Sequence, residues 1–366
     1  MKKTLCSKIV SGLFFILLSC AKENNHEKKI TVSETMLNVE ATANSNVSFE
    51  IKSNEKWTAV PSVEWLEVTF IPTENNSTIV TLTAEQNNAM DSIDYKAFGG
   101  PLPKKDSAIP FASGLITSPT TAERVVTISP NGSELFFTRI GDQGPRIYRS
   151  AYRNRSWQAA ELASFSVNTV DTEPSISPDG KKLFFISATA EYPSPDIWVS
   201  QRSNNAWGTP TRLGDNVNTS GEEWHPSVSA NGDLYFASTK AGGSGSADLY
   251  FSKFENGNYT MNENLGAVIN TAYNEWDPYI SPDGKYIIFK SDRPGGFGGM
   301  DMYITLKKNG NWTTPQNLGA AINTEINDDA GDVTPDGKYL IFARMSPGVT
   351  DVYWIDMDAL KKFIKK

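Results

Sequence analysis

The sequence predicts an all-β protein built around a five-bladed β-propeller, and three observations support this fold. A Ser/Thr-(Pro/Ala)-(Asp/Asn)-Gly turn occurs five times, with its glycines 48, 52, 52 and 53 residues apart. A short aromatic-rich segment follows each turn, and no helical pattern interrupts the repeat. A unit of about 50 residues with several strands cannot bury its own apolar faces, so such units stack as blades around a channel. The turn glycines are Gly132, Gly180, Gly232, Gly284 and Gly337.

Each repeat contains four predicted strands. The first ends in the turn, as in Pro174-Ser-Ile-Ser-Pro-Asp-Gly180, where proline presets φ and glycine supplies the conformation that closes the hairpin. The second carries a phenylalanine at a matched position, and the third begins with an apolar residue followed by Tyr or Trp. These aromatics alternate with polar residues, which indicates burial between stacked blades. The phenylalanines are Phe137, Phe185, Phe236, Phe289 and Phe342.

The fourth strand indicates how the ring closes. The fifth repeat has none, because the chain continues after Trp354 into a short helical pattern over 357–363. The segment 108–114 has the Pro-to-Gly spacing of a fourth strand and precedes the first repeat. We therefore predict that it is the outer strand of blade five and closes a propeller over 107–358, with 359–366 as a C-terminal tail. A six-bladed ring is the alternative, and it needs roughly 42 residues per blade and a sixth turn.

The Pro-Asp-Gly repeats, together with the segments 291–303 and 312–324, resemble the TolB-type, WD-repeat-like β-propeller family. The resemblance covers the propeller repeats. It implies a binding or scaffolding module and no catalytic residues. Since one fold hosts many functions, the resemblance alone does not assign one.

The N-terminus has the features of a lipoprotein signal peptide over residues 1–19. Met1-Lys-Lys is a charged start, an apolar run extends from Ile9 to Leu18, and Leu17-Leu-Ser-Cys20 matches a lipobox. The run is shorter than the roughly 20 residues that span a bilayer. We predict acylation of Cys20. The alternative is cleavage by ordinary signal peptidase, with this cysteine incidental. Cleavage also removes Cys6, so no disulfide can form within the mature chain.

The mature chain is acidic. Loss of Lys2, Lys3 and Lys8 changes the formal net charge from −8 to −11, which excludes nucleic acid as a partner and leaves the lipid as the means of membrane attachment. Residues 20–29 are a charged tether that resembles the spacer of outer-membrane lipoproteins of the Bacteroidetes type. We therefore expect a monomeric outer-membrane lipoprotein that faces the periplasm or the cell exterior.

A second unit is predicted over residues 30–88. Its segments alternate as half-buried strands, as in a small Ig-like β-sandwich. The patterns Ser53-Asn-Glu-Lys-Trp57 and Trp65-Leu-Glu-Val are similar to the BACON domain, although the closing hairpin typical of that domain is not visible. Both tryptophans are expected in the core rather than on a sugar platform. Residues 89–106 are interpreted as a linker.

Acidic residues recur three positions before the first-strand motif of each repeat, where the propeller fold places the channel mouth. One hypothesis is a ring of carboxylates compensated by Arg124 and by a bound Ca²⁺ or a basic segment of a partner. The other is that each acid accepts hydrogen bonds within its own turn, a role that suits a repeated residue. The five are Glu123, Asp171, Glu223, Glu275 and Asp328.

Function in a repeat protein is expected where the repeat is broken. Trp224 and Trp276 share one position in adjacent repeats and could form a platform for a sugar or peptide, or pack against the neighbouring blade. His225, one of the two histidines in the chain, is another departure from the repeat, but no Ser or Cys nucleophile motif surrounds it. The remaining candidates at the mouth are Arg124, Asp277 and Asp329.

Three functions are compatible with these features. The first, which we favour, is a lipid-anchored envelope protein that binds a protein, peptide or glycan at the propeller mouth. The second is a glycosidase or polysaccharide lyase that uses carboxylates at the mouth. The third is a structural spacer without a ligand. No carboxylate pair is distinguished by its surroundings, so the sequence assigns no catalytic residue and leaves the question of enzymatic activity open.

Overall fold

The computed structural model describes residues 19–20, 30–32, 46–53, 57–58, 66–72, 77–84, 93–117, 121–168, 170–203, 206–346 and 349–364. The chain divides into two compact units, Met1–Asn88 and Ala89–Lys366. Most of the predicted signal peptide and tether lies outside the described residues, as does Trp65. None of the described helices is long and apolar enough to cross a membrane.

The first unit contains two antiparallel sheets within its described residues. One has four strands in the order Ile30–Val32, Asn46–Ser53, Ser77–Ala84 and Leu66–Pro72. The other pairs Ser19–Cys20 with Trp57–Thr58. The BACON resemblance of this unit remains a prediction.

The second unit is a five-bladed β-propeller, as the repeat predicts. Blade 1 contains Ala122–Ile128, Glu134–Gly141 and Gly144–Arg153, with outer strands Ser156–Trp157 and Glu161–Leu162. Blade 2 contains Val170–Ile176, Lys182–Ala188 and Asp196–Ser203, with outer strands Ala206–Trp207 and Thr211–Arg212. Blade 3 contains Glu223–Val228, Leu234–Ser238, Asp248–Ser252 and Glu263–Asn264, and carries the small hairpin of Phe254–Glu255 and Asn258–Tyr259.

Blade 4 contains Tyr286–Ser291 between Glu275–Ile280 and Asp301–Lys308, with outer strands Asn311–Trp312 and Gln316–Asn317. Blade 5 contains Asn327–Val333, Tyr339–Ser346, Val349–Asp356 and Ile109–Pro110. The first strand of each blade is its inner strand, and each inner strand contacts those of the two neighbouring blades, including blade 5 with blade 1. The ring therefore closes with five blades, and the six-bladed alternative is not formed.

The repeated turn is held by one hydrogen-bonding pattern. In blade 2 the Ser177 hydroxyl donates to Asp179 Oδ1 at 2.6 Å and accepts from the Lys182 backbone N–H at 2.9 Å. Gly180 has φ 71°, in the left-handed region that favours glycine. Equivalent hydroxyl-to-Asp/Asn bonds occur in the other four blades. The turn sequence thus fixes where each inner strand ends.

The ends of the propeller meet in blade 5. Ile109–Pro110 pairs with the third strand, with Pro110 opposite Tyr353, and the Phe111 N–H donates to the Val352 carbonyl at 2.8 Å. The Phe111 ring is fully buried. This strand belongs to the segment 108–114 that the Pro-to-Gly spacing selects. The outer edge of blade 5 is thereby paired.

Residues 93–98, within the stretch interpreted as a linker, contribute to the propeller core. A 3-10 helix over Tyr95–Phe98 buries both of its aromatic ends. The Phe98 ring stacks on Trp157, with centroids 4.8 Å apart, and Tyr95 Oη donates to Asp336 Oδ1 at 2.6 Å. At the other terminus, a 3-10 helix over Met357–Ala359 and an α-helix over Lys361–Ile364 pack on the core between blades 4 and 5.

Candidate functional site in the propeller channel

The five repeated acids are fully buried, and their hydrogen bonds are made mainly with the turn that precedes their own inner strand. Glu275 accepts from the Thr271 N–H at 3.0 Å and hydroxyl at 2.7 Å, and from Arg293 Nη2 at 2.9 Å. Glu223 and Asp328 likewise accept hydrogen bonds from the backbone N–H and the hydroxyl of the threonine four residues earlier in the chain. Desolvation raises the pKa of all three carboxyl groups above the ordinary value, although these hydrogen bonds oppose the shift.

The acids of the first two blades have comparable partners. Glu123 accepts from the Thr121 hydroxyl at 2.5 Å and from Arg139 Nε at 2.7 Å. Asp171 accepts from the Asn168 N–H and, at 2.7 Å, from a serine hydroxyl of the next strand. All five therefore accept hydrogen bonds within their own turns, and four of them also form an ion pair with an arginine. The described residues do not join the five carboxylates into one cation-sized cluster.

A β-bulge follows the repeated acid in every inner strand. The register shifts there in all five blades, and the bulge residue of four blades has a left-handed φ: 48° at Val125, 55° at Glu173, 48° at His225 and 52° at Asp277. Such φ values are uncommon for residues other than glycine. Since a bulge re-aims a side chain, this position presents a different residue in each blade while the backbone repeats.

A buried charged cluster, which we call the channel cluster, lies at these bulges. Its three acids are the bulge residues Glu173 and Asp277 and, next to the bulge of blade 5, Asp329. Arg124 forms ion pairs with Glu173 and, at 4.0 Å, with Asp329. Lys290 pairs with Asp277 at 2.7 Å and also with Asp329. Glu173 Oε2 accepts from the backbone N–H of His225 at 2.8 Å, which links blades 2 and 3. The channel cluster comprises Arg124, Glu173, His225, Asp277, Lys290 and Asp329.

The acids of the channel cluster are more deeply buried than its two cations. The three acids are 1–6% exposed, whereas the side chains of Arg124 and Lys290 are 22% and 15% exposed. Burial raises the pKa of Asp329 above its usual range. Burial is also the largest single influence on the pKa of Asp277 and raises it, but the Lys290 ammonium and the other favourable interactions together lower that pKa. The cations are therefore the more accessible members, held in place by acids beneath.

The turn end of the channel contains a second polar layer. Each inner strand contributes the residue directly after its proline or the equivalent position, and these residues line a cavity of about 240 Å³. Ser227 Oγ accepts from the Ile280 N–H at 3.0 Å, a bond between blades. Burial raises the pKa of Asp332 to about 6. The five residues are Thr127, Ser175, Ser227, Tyr279 and Asp332.

The two tryptophans pack between blades, and their role as a ligand platform stays a prediction. Each is half-buried, and each packs against the apolar core between blades. Trp224 Nε1 donates to the carboxylate of the exposed Glu222 at 3.1 Å, so its indole extends toward the mouth. Packing orients the rings, and the surface that remains exposed is available to a ligand.

The structure brings together four of the predicted site residues, Arg124, His225, Asp277 and Asp329, and adds three that the sequence analysis missed. Glu173, Lys290 and Asp332 were not singled out. A signal existed for Glu173, because it follows Asp171 by two residues, the spacing of His225 after Glu223. Lys290 had no such signal, since its role depends on the register between two strands.

Comparison with known proteins finds solved structures whose fold is similar to that of this chain. No protein-family model and no curated protein sequence matches this chain. Among solved structures, a putative TolB from Agrobacterium tumefaciens is 19% identical, with a TM-score of 0.46 over 65% of this chain and 78% of that one. TolB from Acinetobacter baumannii is 15% identical, with a TM-score of 0.48 over 90% and 78%.

An endo-arabinase from Bacteroides thetaiotaomicron is also similar, at 13% identity, with a TM-score of 0.44 over 70% of this chain and 97% of that one. The assignment of the fold rests on the five sheets and not on these similarities.

Proposed function

We propose that this chain is a lipid-anchored binding protein of the cell envelope whose propeller receives a protein segment, peptide or glycan at the channel mouth. One observation carries the proposal. Trp224 and Trp276, on adjacent blades, keep exposed indole surface and each precedes a member of the channel cluster in sequence. Aromatic area beside fixed polar groups is the usual composition of a small-ligand or peptide site.

The cations of the channel cluster supply the polar part of this site. Arg124 and Lys290 are partly exposed, and their ion pairs with buried acids fix their positions. Donors held in this way lose little conformational entropy when a ligand binds. We infer that the indoles provide contact area and that these two cations orient an oxygen-rich ligand by hydrogen bonds.

The anchor of this proposal is Cys20. Acylation there would attach the chain to the outer membrane through its lipid, with the protein facing either the periplasm or the exterior. The lipobox supports this location. The acidic charge of the chain supports a partner other than nucleic acid.

Glycan and peptide arrays test the proposal directly. The parent chain should bind a defined subset of probes, and Trp224→Ala with Trp276→Ala should weaken that binding at least tenfold. Trp312→Ala is the matched control, because Trp312 is also half-buried against the core of the same blades but lies in an outer strand. An unchanged probe profile in the double variant would refute binding at the mouth.

Glycoside cleavage is a second candidate, favoured by one observation. Asp277 and Asp329, from adjacent blades, both pair with Lys290, which brings two carboxyl groups together in the channel, and glycosidases use two carboxyl groups. Reducing-end detection after incubation with array-positive glycans separates the two functions. A binding protein leaves these glycans intact, whereas an enzyme releases reducing ends and loses this activity in Asp277→Asn.

A further inference from the structure

Three side chains of the channel cluster come from the same position of three consecutive blades. Glu173, His225 and Asp277 are the bulge residues of blades 2, 3 and 4, and all three have left-handed φ. Because Val125 shares this backbone conformation, the bulge belongs to the repeat. The backbone conformation therefore belongs to the repeat, whereas the three different side chains at this position are specific to blades 2, 3 and 4 of this protein.

The three residues offer one ligand atom each within a small, buried space. These atoms lie within 4.8 Å of one another, and the residues are 2–6% exposed. Zinc bonds to imidazole nitrogen and carboxylate oxygen are about 2.1 Å long, so tetrahedral ligand atoms lie roughly 3.4 Å apart. A contraction of at most roughly 1.5 Å would bring the set to that spacing, which side-chain rotation can supply.

His225 provides a second, independent observation. Its Nδ1 is buried and has no hydrogen-bond partner among the described residues. Buried polar atoms are nearly always bonded, so each exception needs an explanation. A neutral imidazole among two carboxylates is satisfied when a nitrogen lone pair binds a cation.

Formal charge supports the same conclusion. Three carboxylates, those of Glu173, Asp277 and Asp329, face two side-chain cations, Arg124 and Lys290. These five groups carry a formal charge of −1, which favours a bound cation. Arg124 also binds Glu173 Oε1 and Lys290 binds Asp277 Oδ2, and partners of this kind orient the carboxylates that bind a metal ion.

We propose that the channel holds a divalent transition-metal ion bound by Glu173, His225 and Asp277. One imidazole and two carboxylates suit Zn²⁺, whereas Ca²⁺ prefers oxygen ligands only. Three protein ligands leave a fourth position for water or for an oxygen of a molecule entering from the mouth. The site is independent of the ligand proposed for the mouth, so either can fail alone.

The test uses the full chain carrying Cys6→Ser and Cys20→Ser, which removes competing thiolates. After treatment with EDTA and dialysis, Zn²⁺ is titrated by calorimetry and Co²⁺ by visible absorption. We expect one ion per chain, the intense d–d bands of tetrahedral Co²⁺, and a rise in Tm with Zn²⁺. His225→Ala should weaken Zn²⁺ binding at least 100-fold, and Glu173→Gln, which preserves shape, should weaken it at least tenfold.

The matched control is His26→Ala, since the chain has two histidines. This variant should bind Zn²⁺ as the parent does. Circular dichroism checks that each variant is folded. The proposal is overturned if the parent binds neither ion, if folded His225→Ala binds Zn²⁺ with parental affinity, or if Ca²⁺ binds in place of Zn²⁺ and is unaffected by His225→Ala.

Discussion

Replacing Lys290 by methionine tests the energetics of the channel cluster. Its ammonium pairs with Asp277 at 2.7 Å and with Asp329, and these acids are 6% and 1% exposed. Methionine keeps much of the side-chain volume and removes the charge, leaving two adjacent buried carboxylates without their common partner. Breaking a buried ion pair in this way costs about 3–5 kcal/mol. In a domain of this size, where 1 kcal/mol shifts Tm by about 2 °C, that corresponds to a loss of roughly 6–10 °C in Tm.

Urea unfolding at pH 7, followed by circular dichroism, measures this loss. Lys285→Met is the matched control, because Lys285 lies in the same blade and pairs with Asp283 in water, with side chains 74% and 51% exposed. An exposed pair contributes about 0–1 kcal/mol. Adding Asp329→Asn to Lys290→Met removes one of the two carboxylates that have lost Lys290 and should restore part of the stability.

The direction of the pH dependence is also fixed. An unpaired buried carboxylate takes up a proton more readily in the folded than in the unfolded state, so the deficit of Lys290→Met should shrink as the pH falls from 7 to 5. If Lys290→Met is no less stable than Lys285→Met at pH 7, the described ion pairs do not hold the channel together and the reasoning is refuted.

Three further outcomes are expected. Burial raises the pKa of Asp332 from 3.8 to about 6, so the unfolded chain loses this proton near pH 4 and the folded chain near pH 6, and the parent loses stability as the pH rises between these values. In urea titrations, Asp332→Asn should therefore exceed the parent in stability at pH 7 by up to about 3 kcal/mol, but not at pH 4. Phe111→Ala should cost about 3–5 kcal/mol by opening the closure of blade 5, whereas Phe297→Ala, at an exposed ring, should cost under about 1 kcal/mol; equal melts would count against the closure. Cys20→Ala should abolish palmitate labelling, and unchanged labelling would exclude this lipidation site.

The five-bladed fold could be predicted because its signals are local and repeated. The turn needs glycine at one φ, and a phenylalanine such as Phe185 recurs at one register, so each repeat reports the same structure. The stretch 93–98 was harder, because Tyr95 and Phe98 show no strand or long helix pattern. Their burial depends on Trp157 and Trp354, which lie far along the chain.

The site was predictable only in part, for a related reason. Repeated acids such as Glu275 drew attention to the mouth, but their carboxylates are bound by their own links. The channel cluster forms at the β-bulges, where the regular strand pairing is interrupted and each blade presents a different side chain. Sequence shows that His225 and Asp277 depart from the repeat. The pairing of Lys290 with two acids of different blades depends on tertiary structure.

Site-specific photocrosslinking in the cells that produce the protein tests the central claim, which is that the channel mouth is the binding face. The photoreactive residue p-benzoylphenylalanine replaces Glu222, exposed at the mouth, or Asp283, exposed in a turn at the opposite end of an inner strand. After irradiation, mass spectrometry of the purified chain identifies adducts. The proposal predicts a discrete adduct from position 222 and none from position 283. Adducts from position 283 alone would contradict it.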